Sequence, residues 1–256
     1  MTQSSSVDTF GERPPGYYSP PAMSSSVHQQ QPQFMGFSGG QQQQLALDCP
    51  APLRKLLPTS GVNVSVQSYD FCCSSGGEYV CADQRGRMLY SGSLDQMPGC
   101  CGADPDCDVA FMDRDSNECA MHIHRTGRYV AIEAPRGSLV GQIGSADVHF
   151  MTNIDAEMVV LDAGGRPIFR LVGSGGTGDF CCGGMGDMSY SIHPAASGPG
   201  GPSLGQVVVN AAGCCNEPPS GGVTYPSDLQ VKMKAALVGA LMYAISMRKQ
   251  YYDQRR

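Results

Sequence analysis

Two imidazoles, His122 and His124, lie two residues apart, with Cys119 three positions before the first. On a strand, residues two apart share a face, so the pair would offer nitrogen, and Cys119 sulfur, to a soft ion such as zinc. The sequence supplies no second dyad to complete a four-ligand set. It also lacks a G-x-S-x-G elbow, an H-E-x-x-H helix and a phosphate-cradling G-x-x-x-x-G-K, and its glycines sit between strands instead of opening a helix. Covalent catalysis is therefore not expected. Eight of the twelve cysteines fall in adjacent pairs, Cys72-Cys73, Cys100-Cys101, Cys181-Cys182 and Cys214-Cys215. Adjacent cysteines bridge each other poorly, and disulfide frameworks belong to short secreted domains.

A second group of residues is cationic. Lys232 and Lys234 precede, and Arg248 and Lys249 follow, an apolar block running from Ala235 to Met247. A helix apolar on every face must be hidden from water, and this one falls short of the ~20 residues that span a bilayer. Cations on both flanks leave the positive-inside rule without a direction. Lys232, Lys234, Arg248 and Lys249 become candidates for anionic lipid headgroups, reached by snorkelling or from a protein surface. The helix is expected over about residues 228–249, with Asp228 as N-cap and Arg248 and Lys249 at the negative end of its dipole.

The elements that would position these groups are strands. From Gly61 onward short alternating runs such as Val62-x-Val64-x-Val66, Glu78 to Ala82 and Asp108 to Met112 are broken by Gly, Asp, Asn and Pro. A loose repeat of apolar run, turn and apolar run recurs around Asp83 to Gly86, Asp113 to Ser116, Ala134 to Gly137 and Asp162 to Gly165, as consecutive hairpins would give. About a dozen strands are expected. With no other amphipathic helix of ordinary length, the sheet should be an antiparallel meander in one domain, residues 51–256. Residues 1–50 are rich in Ser, Pro, Gly and Gln and read as a disordered tail. Within it Pro14-Pro15-Gly16-Tyr17 fits the Pro-Pro-x-Tyr pattern read by WW domains on a polyproline II helix, which makes Pro14, Pro15 and Tyr17 a partner motif. The net charge of −6 argues against a nucleic-acid footprint, and the first residues, Met1 to Asp8, lack the basic start and apolar core expected of a secretory signal.

A sheet of a dozen strands removes its edges by closing, and a barrel that wide needs more than side chains to fill it. One thin apolar helix, with Ala or Gly at 235, 236, 239, 240 and 244, would do so. The fold expected is a closed antiparallel barrel of about twelve strands around the C-terminal helix. The segment Pro226-x-Asp228-Leu229-x-Val231-Lys232-Met233-Lys234-Ala235, followed by Val238-Gly239-Ala240, closely resembles the carboxyl end of the phospholipid scramblase family. Tyr129 to Gly137, Gly141-Gln142-Ile143 and Cys181-Cys182 extend the resemblance, which covers roughly residues 53–247.

That resemblance implies a tubby-like barrel and ATP-independent, calcium-stimulated movement of phospholipids between leaflets, on the cytoplasmic side of the plasma membrane. A membrane-tethered lipid-binding adaptor is the alternative. The family's calcium segment aligns with residues 217–228. Glu217 and Asp228 match its ends, but Pro219 replaces its second acid, while calcium wants about 6–8 oxygen ligands. The family's palmitoylated cysteine cluster is replaced here by His124 to Arg128, which leaves Cys100, Cys101, Cys181 and Cys182 as lipidation candidates.

Overall fold

The computed structural model describes residues 49–71, 74–94, 108–126, 129–145, 157–174, 187–197, 201–210 and 220–253. The tail expected over residues 1–50, with its Pro14-Pro15-Gly16-Tyr17 motif, lies outside them except for Cys49 and Pro50.

A 3-10 helix, Ala51–Leu56, leads into twelve strands. They are β1 (Gly61–Phe71), β2 (Ser74–Asp83), β3 (Met88–Leu94), β4 (Val109–Asp113), β5 (Glu118–Thr126), β6 (Tyr129–Glu133), β7 (Leu139–Ser145), β8 (Glu157–Asp162), β9 (Pro167–Ser174), β10 (Met188–Pro194), β11 (Gly205–Val209) and β12 (Gly221–Thr224). Each strand pairs antiparallel with its neighbour in sequence, and β12 pairs with β1 to close the barrel, Val223 opposite Val62. Closure leaves no strand edge open, which removes the edge-pairing hazard that a long open sheet carries.

The period-2 alternation does what the sequence implies. Val62 and Val64 on β1, Met158 and Val160 on β8, and Met188, Tyr190 and Ile192 on β10 point inward and are buried, while Asn63 and Ser65 face out. The repeated acidic turns are hairpins built on one device. The Asp83 carboxylate accepts hydrogen bonds from the Arg85 and Arg87 amides, and Asp162 accepts from those of Gly164 and Arg166, all at 2.8–2.9 Å. Gly86 and Gly165 follow at φ +79° and +77°, where only glycine sits without strain.

The single α-helix among the described residues, α1 (Val231–Asp253), runs down the barrel. Ala235, Ala236, Leu237, Val238, Ala240, Leu241, Met242, Ala244 and Ile245 are each at most 1% exposed, so the apolar block is the core. No helix among the described residues is long and apolar enough to cross a membrane. The helix begins later than its capping residue suggested. Asp228 lies in the turn closed by the Leu229 amide on the Pro226 carbonyl, and the first helical bond runs from Lys234 N to the Gln230 carbonyl. It also ends later, at Asp253, so Arg248 and Lys249 stand more than one turn short of its C-terminus.

The meander sorts its connections by end. The tight turns after β2, β4, β6 and β8 share one rim with the start of α1, whereas the segments after β1, β3, β9 and β11 leave from the opposite rim, toward which α1 runs.

Candidate functional site

The motif with the most specific wording forms the base of the helix. Tyr225 is buried, and its hydroxyl shares a 2.9 Å hydrogen bond with the Thr59 hydroxyl. One turn into α1, Lys234 is fully buried. Its ammonium donates to the carbonyls of Leu57, Thr59 and Ser227 at 2.8 Å and of Leu56 at 3.2 Å, and it lies 5.5 Å from the Tyr225 ring centroid. Burial disfavours its charged form and brings its pKa down to about 8, with Asp228 pulling upward. Lys234 therefore does not reach a lipid headgroup, as the sequence had suggested. Its side chain points into the ring of carbonyls that ends the 3-10 helix and is consumed there as a structural clamp.

The remaining cations do not make one patch. Lys232 is exposed beside the start of α1, where its charge and that of Arg54 both bear on the Cys49 thiol. Arg248 and Lys249 lie sixteen or more residues further along a helix that rises about 1.5 Å per residue, roughly 24 Å away. On the rim near Lys232 the structure adds a feature that linear spacing did not reveal. An open groove of about 640 Å³ is lined by Arg54, Lys55, Arg87 and Arg114 together with Met88 and Asp115. Most of these cations are already paired. Lys55 bridges Asp113 and Asp115 at 2.6 and 2.7 Å, Arg87 reaches Asp83 at 3.2 Å, and Arg114 reaches Glu78 at 3.5 Å. Burial works against the charged Asp113 carboxylate, yet the Lys55 ammonium and the turn amides hold its pKa below the usual range.

The expected calcium pair is not assembled by the described residues. Asp228 is exposed in its turn and joins no cluster of acidic side chains among them, and Glu217 and Pro219 lie outside them. One carboxylate is far from the oxygen count calcium requires. Cys100, Cys101, Cys181 and Cys182 also lie outside the described residues. The described strand ends that flank them, Leu94 and Val109 for the first pair and Ser174 and Met188 for the second, share the rim toward which α1 runs. Among described cysteines, Cys49 and Cys81 are buried, and burial alone pushes the Cys81 thiol up to about 12, well away from reactive thiolate chemistry.

The histidine pair is brought together with a different third group from the one expected. His122 and His124 stack on one face of β5 with ring centroids 4.6 Å apart, and Glu133 of β6 sits directly opposite His122. Their ligand atoms all fall within 4.8 Å of one another. Cys119, half-buried at the start of β5, is not a member of this group.

No protein-family model matches this chain, and no curated protein matches it. Among solved structures, an X-ray structure of a protein from Arabidopsis thaliana aligns over 77% of this chain and 99% of its own, at 12% identity and a TM-score of 0.41.

Proposed function

We propose that this protein is a scramblase-type membrane protein that acts on phospholipids from the bilayer surface, lowering the barrier to their transbilayer movement without ATP. The phospholipid part of the reading rests on the Pro226 to Ala240 wording. The surface part rests on a single observation, the burial of α1 inside its own barrel. A helix that fills a protein core is not available to line a lipid path, so headgroups would have to be met by the outside of the closed barrel. Lys232 and Arg54 beside the cationic groove, and acyl chains on Cys100-Cys101 or Cys181-Cys182, are the contacts this reading assigns. Two weak signals of that kind together hold a protein on a membrane where one does not.

The same burial favours a second reading, a lipid-binding adaptor that recruits a WW-domain partner through Pro14-Pro15-Gly16-Tyr17 and scrambles nothing itself. Transbilayer movement of a fluorescent phospholipid in liposomes reconstituted with the purified protein, with and without calcium, separates the two. Scrambling predicts accelerated movement over protein-free liposomes, increased further by calcium if Glu217 and Asp228 join in an ion site. Flotation of the protein with the liposomes but no acceleration would transfer the assignment to the adaptor.

A further inference from the structure

We propose that His122, His124 and Glu133 form a binding site for a divalent transition ion, zinc foremost, on the outer wall of the barrel between β5 and β6. The strands alternate there: Met121 and Ile123 on β5 and Ile132 on β6 are fully buried in the barrel core, which turns His122, His124 and Glu133 to the other face. Outer-face histidines are ordinarily solvated. His122 is instead 6% exposed, and its Nδ1 is buried with no hydrogen-bond partner, as is Nδ1 of His124. An unmet buried ring nitrogen carries a cost of desolvation unless something binds it.

The other nitrogen of His122 explains why Nδ1 is left in that state. Its Nε2 lies 2.7 Å from Asp108 Oδ1. A carboxylate accepts only, so Nε2 carries the proton in that contact, and the neutral ring then presents Nδ1 as a lone pair. This is how carboxylates orient metal-binding imidazoles, fixing the tautomer and the ring plane. Nδ1 of His122 lies 3.6 Å from Glu133 Oε2, too long for a hydrogen bond. The Glu133 carboxylate is steadied by the Gly137 amide at 2.7 Å, which is also the largest cause of its lowered pKa.

Two imidazole nitrogens and one carboxylate oxygen suit zinc and its neighbours and not calcium or magnesium, which take oxygen. Zinc bonds of about 2.0–2.1 Å set tetrahedral edges of about 3.4 Å. The three ligand atoms here lie within 4.8 Å, so modest ring and carboxylate rotations close the set, leaving one position for water or a further ligand.

The test uses the full, folded chain with its accessible thiols alkylated, because those cysteines would otherwise compete for the ion. Equilibrium titration with zinc should show one equivalent bound. His124→Gln and Glu133→Gln should each weaken it at least tenfold, and Asp108→Asn by about 10–100-fold, the usual weight of an orienting carboxylate. Circular dichroism checks that each variant folds. A readout that needs no variant is the imidazole nitrogen spectrum of the wild-type protein, in which zinc should shift two Nδ1 resonances. No bound ion on the alkylated protein, or unchanged affinity in folded His124→Gln and Glu133→Gln, would overturn the site.

Discussion

A lysine placed one turn into an apolar helix and denied water has to find its partners inside the protein. Lys234 has three N–H donors and meets four carbonyl oxygens, one of which, Leu56 O, also accepts from Thr59. The clamp joins α1 to the segment before β1, some 175 residues away in sequence. Lys234→Met would keep the length of the side chain but strip the donor from the Leu57, Thr59 and Ser227 carbonyls. We expect a loss of about 2–4 kcal/mol by urea unfolding, the range for buried polar groups left without their charged partner. The pH dependence has a definite sign. Burial lowers the folded pKa from 10.5 to about 8, so between those values the unfolded chain binds more protons than the folded one, and this group makes stability rise with pH across that window. Cys81, held up to about 12 by burial, acts in the opposite direction, because only the unfolded thiol ionises there. The contribution of Lys234 is therefore read as the difference between wild type and Lys234→Met from pH 8 to 10.5. It should grow through that range, and a constant difference would mean that the ammonium keeps its proton throughout.

At the scale of elements, the contact between α1 and the wall is set by small residues. A Cβ added at Gly239 would overlap Ile132 Cγ1 on β6 and press on Ile143 Cδ1 of β7, and one at Gly221 of β12 would come 2.8 Å from Leu241 Cδ1. Gly239→Ala gains about 1 kcal/mol of helix propensity, but overpacking costs about 1–3 kcal/mol, and a γ-carbon close to the strand backbone has little freedom to yield. The clash should win, giving net destabilisation. Ile132→Ala should rescue part of it, so that a double-mutant cycle in urea shows favourable coupling between the two sites; simple additivity would show that the helix shifts instead. Strands were legible in the sequence because their turns announce themselves, through Asp83 and Gly86 or Asp162 and Gly165. The helix start was misread because Asp228 is a good capping residue in isolation, whereas the chain spends residues 225–230 closing the barrel and delivering Tyr225 to Thr59. Glu133 was in principle legible too. Thr126 of β5 pairs with Tyr129 of β6, and counting equal steps away from that pair sets His122 opposite Glu133. Proximity in the sequence suggested Cys119 instead. The groove at Arg54, Arg87 and Arg114 had no such signal, because it draws on the 3-10 helix and on the turns after β2 and β4, which are far apart in sequence and meet only on the folded rim.

For the molecule as a whole, the question is whether α1 stays where it is when the protein meets a membrane. Moving it into lipid would return Leu237, Val238, Leu241, Met242 and Ile245 to an apolar medium at little cost to the helix. The wall would not be compensated. Ile123, Ile132, Ile143, Val160 and Leu171, all fully buried, belong to the cluster that packs with α1, and an emptied barrel would expose them to water. Burying five such side chains is worth roughly 8–15 kcal/mol, as much as the whole stability of an ordinary domain. Extraction would also break the Lys234 clamp and carry its charge toward hydrocarbon, where a charged side chain is costly. If the protein works at a membrane as proposed, the barrel should bind there with its helix in place. Hydrogen exchange compared in solution and on anionic liposomes can decide this, provided the strands are followed as well as the helix, since a helix is protected in either medium. Amides of β6 and β7 should keep their protection when the protein binds. Their release, with α1 still protected, would mean that the helix has left for the bilayer and that the closed barrel is only the resting form.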